Sequence, residues 1–177
     1  KHFKKTKIKK GDVVLCLAAS GSTIYTKTIL KKSKEIGAIT IAFSNNEKSS
    51  LFKYSDVSIF LNTGAEFIAG STRLSAGTSQ KIALNLFSTC LMIRLNKVYK
   101  GFMVDMKPTN IKLRSRAEKI LSNITNCDLK KAREILQNNN YNIKLSIMII
   151  NKFPKRRALT VLNDCDGDLH KALKRLI

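Results

Sequence analysis

The first hydrophobic stretch is continuous rather than alternating. Residues 11–20, GDVVLCLAAS, form an apolar run of strand length between Gly11 and Ser20. Strands buried on both faces of a parallel sheet carry such runs. SGST follows, then YTKTILKKSKEIG, whose apolar spacing and closing Gly37 predict a helix with a glycine cap. AITIAFS reads as a second strand. NNEKSS leads into LFKYSD, a short helix or turn, and VSIFLN reads as a third strand. GAEFIAGSTRLSAGTS reads as a long loop. SQKIALNLFSTCLMIRLNK predicts a strong helix with Ile82, Leu86, Cys90 and Ile93 on one side.

Strands alternating with helices at these spacings predict an α/β fold with a parallel sheet. Three strands make a small sheet, against a mean of about 5–6. A parallel sheet needs both faces covered and its edges managed. The sheet therefore looks unfinished at its N-terminal end, and with a chain opening on Lys1 the expectation is that structure lies upstream.

From about Cys127 the pattern changes to short helices: DLKKAREILQNN, NIKLSIMIINK, and KRRALTVLNDCDGDLHKALKRLI broken at CDGD. Asp128 and Asp168 are placed to cap the first and the last, and Phe153-Pro154 marks a turn. The expected division is residues 1–124 as the α/β part and 125–177 as a small three-helix bundle. LNDCDGDLHKAL resembles the last part of ubiquitin-associated-type bundles, as helix packing and not as ubiquitin binding.

Composition changes this picture little. The 177 residues hold 33 Lys+Arg against 12 Asp+Glu, a net charge of +21. That balance raises nucleic acid or a membrane surface as a partner. The basic residues are scattered, however, and richness in Lys, Asn and Ile is what AT-rich coding produces. No nucleic-acid motif or basic helix with interleaved aromatics occurs, so nucleic acid ranks last among the partners. The lead-in KHFKKTKIKK reads as a solvated face or an amphipathic helix end. No apolar run approaches the about 18 residues of a membrane span. Cys16, Cys90, Cys127 and Cys165 have no metal-ligand spacing; Cys16 and Cys90 sit in apolar runs like small core residues, and a reducing cytoplasm fits. The two histidines, His2 and His170, lie near opposite ends of the chain, which argues against a histidine-based metal site or dyad.

The chemistry-bearing stretches are two Ser/Thr-rich loops at strand ends. A strand running through SGST into a helix forms an anion site, because the first helical N–H groups lack intrahelical partners and the dipole end is positive. Gly21 lets backbone approach closely, and Ser20, Ser22 and Thr23 add hydroxyls, though Ser and Thr are also ordinary helix caps. Neither GxxxxGK followed by Ser or Thr nor GxGxxG is present. The second loop repeats the pattern: Ser71, Thr72 and Thr78 supply hydroxyls, Arg73 a planar fork and Lys81 a point charge, with Glu66 just before them. A glutamate there is either solvated or an acceptor for sugar hydroxyls. Two such loops without a nucleotide motif point to a small phosphorylated ligand such as a sugar phosphate.

The order LAASGSTIY, then GAEFIAGSTRLSAGTSQKIALNLFSTCLMI, then GFMVDMKPTNIKL resembles the N-acetylmuramic acid 6-phosphate etherase family. That family is built on the sugar isomerase (SIS) domain, and vertebrate glucokinase regulatory protein is a relative. The resemblance covers about Gly11 to Leu121, and the C-terminal bundle fits the family's helical tail. Its signature is long and specific, and MVDMKPTN is a second, independent block. The implied fold is a partial SIS-type three-layer α-β-α parallel sheet lacking its N-terminal strands, followed by the bundle.

The resemblance further implies opening of the D-lactyl ether of N-acetylmuramic acid 6-phosphate, giving N-acetylglucosamine 6-phosphate and D-lactate. Elimination is followed by water addition, with no metal and no organic cofactor, in bacterial cytoplasmic cell-wall recycling. It implies homodimers with the site near the subunit interface. The glutamates the family uses for proton transfer lie upstream of the region matching Gly11, so no catalytic residue is expected in this chain and the chain alone is expected to be inactive. Ser20, Gly21, Ser22 and Thr23 fall on phosphate-loop positions, where members often carry Arg in place of Ser22. Glu66, Ser71, Arg73, Gly77, Thr78, Gln80 and Lys81 fall on the signature. Ala65 and Ile24 stand where Pro is usual, and Ser75 where Lys is usual. Asp105, in the second block, reads as a cap or turn carboxylate or a functional group. The alternatives are a sugar-phosphate-binding regulator of the glucokinase-regulator type, or an inactive remnant.

Overall fold

The computed structural model describes residues 6–175. The lead-in of residues 1–10 lies partly outside that range, and its described residues form no helix. The chain forms two compact units, Lys1–Phe87 and Ser88–Ile177. The division expected between residues 124 and 125 falls inside the second.

In the first unit, strands β1 (Val13–Leu17), β2 (Ile39–Ser44) and β3 (Val57–Phe60) pair in parallel in the order β1-β2-β3. Val13 lies opposite Ile39, and Ile41 opposite Val57. Helix α1 (Ile24–Ile36) connects β1 to β2 and ends at Gly37 in the left-handed region, φ 87°, where its N–H returns to the Lys34 and Ser33 carbonyls. A one-turn 3-10 helix, Phe52–Tyr54, precedes β3.

One face of the sheet is packed. Cys16, Ala18 and Ala42 bury against Leu30 of α1 and against Leu51, with Val14, Ile29, Phe52 and Tyr54 closing the edge. Leu30 is fully buried, which contributes about 1.5–3 kcal/mol. The alternating positions point the other way, and Val13, Ile39 and Val57 are 56%, 50% and 47% exposed. The continuous apolar runs thus serve two faces, and the second is covered only in part among the described residues: Phe43, on the same side as Ile39, is 3% exposed. At the N-terminal end of β3, Asp56 accepts from the Thr40 N–H (2.8 Å) and hydroxyl (2.8 Å) and pairs with Lys34 of α1 (3.1 Å). These bonds, the Thr40 backbone N–H first, hold its pKa down to about 2.

Helix α2 (Leu74–Arg94) starts five residues earlier than its apolar pattern suggests, and the boundary between the units falls within it. Ala76 is its only buried residue. Ile82, Leu86 and Ile93 are half exposed and Cys90 is exposed, so the predicted apolar side finds no partner among the described residues. Cys16 is buried, as its run indicates, but Cys90 is not a core residue.

After the last turns of α2 the second unit has a hairpin, β4 (Val98–Tyr99) and β5 (Phe102–Met103), turning through Lys100 (φ 48°) and Gly101 (φ 79°). Two consecutive positive φ values are what a tight two-residue hairpin needs. Helices α3 (Ile111–Thr125), α4 (Leu129–Asn138), α5 (Ile143–Ile150), α6 (Lys155–Asp164) and α7 (Leu169–Lys174) follow. Asn110, Asp128, Asn142 and Asp168 cap α3, α4, α5 and α7 through side-chain oxygens. One core joins Val104, Ala117, Leu121, Leu136, Ile147 and Leu169. Across α3 and α4, Arg133 holds buried Glu118 through two bonds of 3.1 and 3.2 Å. These helices share their core with α3 and the hairpin segment.

Candidate functional site

All three parallel strands end at one edge of the sheet, where ligands of open α/β folds bind. Three loops leave that edge: residues 18–23 after β1, 45–50 after β2 and 61–73 after β3.

In the first loop Gly21 adopts φ +70°. A Cβ there would overlap the Ser49 side chain and lie 2.8 Å from Ser44 Oγ. Its carbonyl accepts from the Ser50 hydroxyl at 2.9 Å. The glycine is thus required to seat the β1 loop on the β2 loop. The Ser20 and Ser22 hydroxyls are 3.0 Å apart, and both side chains are exposed. Thr23 is the N-cap of α1, yet its side chain makes no capping bond. The start of α1 therefore presents backbone N–H groups without a side-chain cap, beside three hydroxyl residues.

The second helix start differs. Ser75 N–H and Ala76 N–H, in the first turn of α2, each donate to the Glu66 carboxylate at 3.0 Å. These bonds, Ala76 first, hold the Glu66 pKa below its ordinary value, so the group is ionised at neutral pH. The chain's own carboxylate occupies the anion position that GSTRLSAGTSQK offers. This cap explains the early start of α2, since Glu66 takes up donors that would otherwise lack partners.

Between these loops stands Asn45, at the exit of β2. Its side-chain amide donates to the Leu61 carbonyl (3.0 Å) and the Ser79 hydroxyl (2.8 Å), and its oxygen accepts from Gln80 Nε2 (2.9 Å). Its backbone N–H reaches the Ala19 carbonyl at 3.0 Å. The next residue, Asn46, donates to the Ser20 carbonyl at 3.1 Å.

A cavity of about 400 Å³ opens here, lined by Asn45, Thr63, Glu66, Ser71, Thr72 and Ala76 among others. A smaller one of about 160 Å³ adjoins it at Glu66, Phe67, Ile68, Ser71, Arg73 and Leu74. The larger volume suits a single sugar. Of the residues singled out from sequence, Glu66 and Ser71 line both cavities and Arg73 the smaller. Thr78 and Lys81 are exposed on α2 and line neither, and Ser20–Thr23 form the separate β1 wall. Asp105 lies in the second unit, 3.7 Å from Lys144 Nζ and 4.0 Å from Lys97 Nζ. Sequence reading passed over Asn45, Asn46, Ser49 and Thr63. The signal available was position: NNEKSS directly follows a parallel strand.

Hydroxyl-rich turns at the strand ends of a parallel sheet, with no nucleotide loop, place this chain among the α/β domains whose ligands bind at that edge. Residues 1–90 match the model of the SIS domain, and the chain belongs to that family. Within it, the chain is similar to proteins named N-acetylmuramic acid 6-phosphate etherase. The Oenococcus oeni protein is 41% identical over 172 residues, 97% of this chain and 58% of that protein. Those of Oceanobacillus iheyensis (46%, covering 81% of this chain and 49% of the relative) and Petrotoga mobilis (41%, 99% and 59%) are alike. The chain thus spans roughly half to three-fifths of the length of these relatives.

Proposed function

We propose that this chain forms the sugar-phosphate-binding part of an N-acetylmuramic acid 6-phosphate etherase, a carbon–oxygen lyase that releases D-lactate. The observation that carries the reading is the difference between the two helix starts. At α1 the N–H groups lack a side-chain cap and stand beside Ser20, Ser22 and Thr23, which suits the phosphate. At α2 the ionised Glu66 would repel a phosphate, but as an acceptor beside the cavity of about 400 Å³ it suits sugar hydroxyls. Arg73 adds a cation at the adjoining smaller cavity.

The reaction needs a base for the proton beside the sugar's carbonyl carbon and an acid for the departing lactate oxygen. Glu66 is the only carboxylate lining either cavity, and it is committed to two N–H groups. The acid and base are assigned to polypeptide beyond these 177 residues, and the assembly is a homodimer in the cytoplasm. The same commitment of Glu66 favours, as second reading, a regulator that binds sugar phosphate without turnover.

Calorimetric titration of the chain with N-acetylglucosamine 6-phosphate, N-acetylglucosamine and inorganic phosphate tests the binding claim. The phosphorylated sugar should bind more tightly than either half, and equal or absent binding of all three would refute it. Lactate assays with N-acetylmuramic acid 6-phosphate test the rest. Steady release by the chain alone would sink the assignment of acid and base elsewhere.

A further inference from the structure

We propose that Asn45 is the positioning residue of this site, clamping the first turns of α2 to the strand ends and thereby placing Glu66 and Ser71 in the cavity. Apolar packing does little to hold α2, since Ala76 alone is buried along its 21 residues. Two polar attachments tie its first turns to the sheet edge. One is the Glu66 carboxylate on the Ser75 and Ala76 N–H groups. The other is Asn45, which grips Ser79 and Gln80 one turn further on while donating to the Leu61 carbonyl after β3. Its backbone N–H is tied to Ala19 after β1. One residue therefore connects the exits of β1 and β3 with the helix that presents Glu66's hydrogen-bond donors.

The amide orientation follows from its partners: reversing it would turn the oxygen toward the Leu61 carbonyl. Both amide hydrogens and the oxygen are engaged. Asn45 lines the cavity but keeps its polar groups for the protein, so its role is to place other groups rather than to bind ligand. With the clamp removed, the start of α2 frays, and the Ser75 and Ala76 N–H groups no longer stand fixed on Glu66.

The test uses Asn45→Ala and Gln80→Ala, the second removing one arm of the clamp from a half-buried helix position. The pH titration of the Ser75 and Ala76 amide resonances reports the Glu66 carboxyl. In both variants its midpoint should rise toward the ordinary glutamate value. Asp56, on the opposite edge of the sheet, is the control and should stay at about 2. Affinity for N-acetylglucosamine 6-phosphate should fall about tenfold in Asn45→Ala, the size of one well-made hydrogen bond. An unmoved Glu66 midpoint overturns the proposal, as does an equal rise at Asp56, which would mean general loosening. If Asn45→Ala does not fold, Gln80→Ala decides on the same titration. The ligand arm rests on the sugar-phosphate reading, but the titration needs no ligand. A wild-type chain that binds no sugar phosphate refutes that reading while leaving the clamp to be judged by the amides.

Discussion

Gly21→Ala is the change that most directly probes how the β1 loop is built. Alanine at φ +70° is held in the left-handed region, a backbone cost of about 1–2 kcal/mol. The new methyl also overlaps the Ser49 side chain and comes within 2.8 Å of Ser44 Oγ. Relieving that overlap displaces Ser49, whose hydroxyl accepts from the Leu51 N–H at 3.3 Å and reaches the Gly21 carbonyl at 3.4 Å. Overpacking of this kind costs about 1–3 kcal/mol, so the sum is about 2–5 kcal/mol. Native-state hydrogen exchange at Cys16 and Ala42, paired at the centre of the sheet, reads opening of this unit separately from the helical one. Their exchange should accelerate about 30- to 5,000-fold. In a Ser49→Gly background most of the overlap is gone, and the same change should cost only the backbone part, about 1–2 kcal/mol. A Gly21→Ala protein within about 0.5 kcal/mol of wild type would refute the account, taking surface substitutions as the yardstick. So would a cost that Ser49→Gly leaves unchanged.

Two other outcomes follow from the same geometry. Asp56 has its pKa lowered from 3.8 to about 2 in the folded chain, so its contribution is present above about pH 4 and is lost as pH falls through 2. Urea unfolding of the first unit at pH 5 and 2.5 should show that loss, and Asp56→Asn should flatten it; an identical pH profile in the variant would contradict the assignment. In the second unit, Leu136 is fully buried, and Leu136→Ala should cost about 2–5 kcal/mol in urea unfolding followed by circular dichroism, without changing exchange at Cys16 and Ala42. A cost below about 1 kcal/mol would contradict the packing described here.

Much of the architecture was legible because its determinants are local. The GDVVLCLAAS and AITIAFS runs, the glycine stop at Gly37, and the caps at Asp128 and Asp168 each depend on neighbours a few residues away. The Val98–Met103 hairpin was missed although its signal is also local: Lys100-Gly101 sits between two apolar pairs. Helix α3 was missed for a related reason, since only its first residues, IKL, fell in the GFMVDMKPTNIKL block and the helical period of the rest was not used.

The candidate site divides along the same line. By itself the sequence determined that hydroxyl-rich loops follow β1 and β3, and that Gly21, Ser71 and Arg73 stand in them. Only the tertiary structure decided that Glu66 fills the start of α2, leaving the start of α1 without a side-chain cap, and that Asn45 joins Ala19, Leu61, Ser79 and Gln80. Those partners stand 9 to 35 positions apart along the chain. Which N–H a carboxylate or an amide finds over such spans is set by strand register and by where the helix comes to rest, and no local periodicity encodes either.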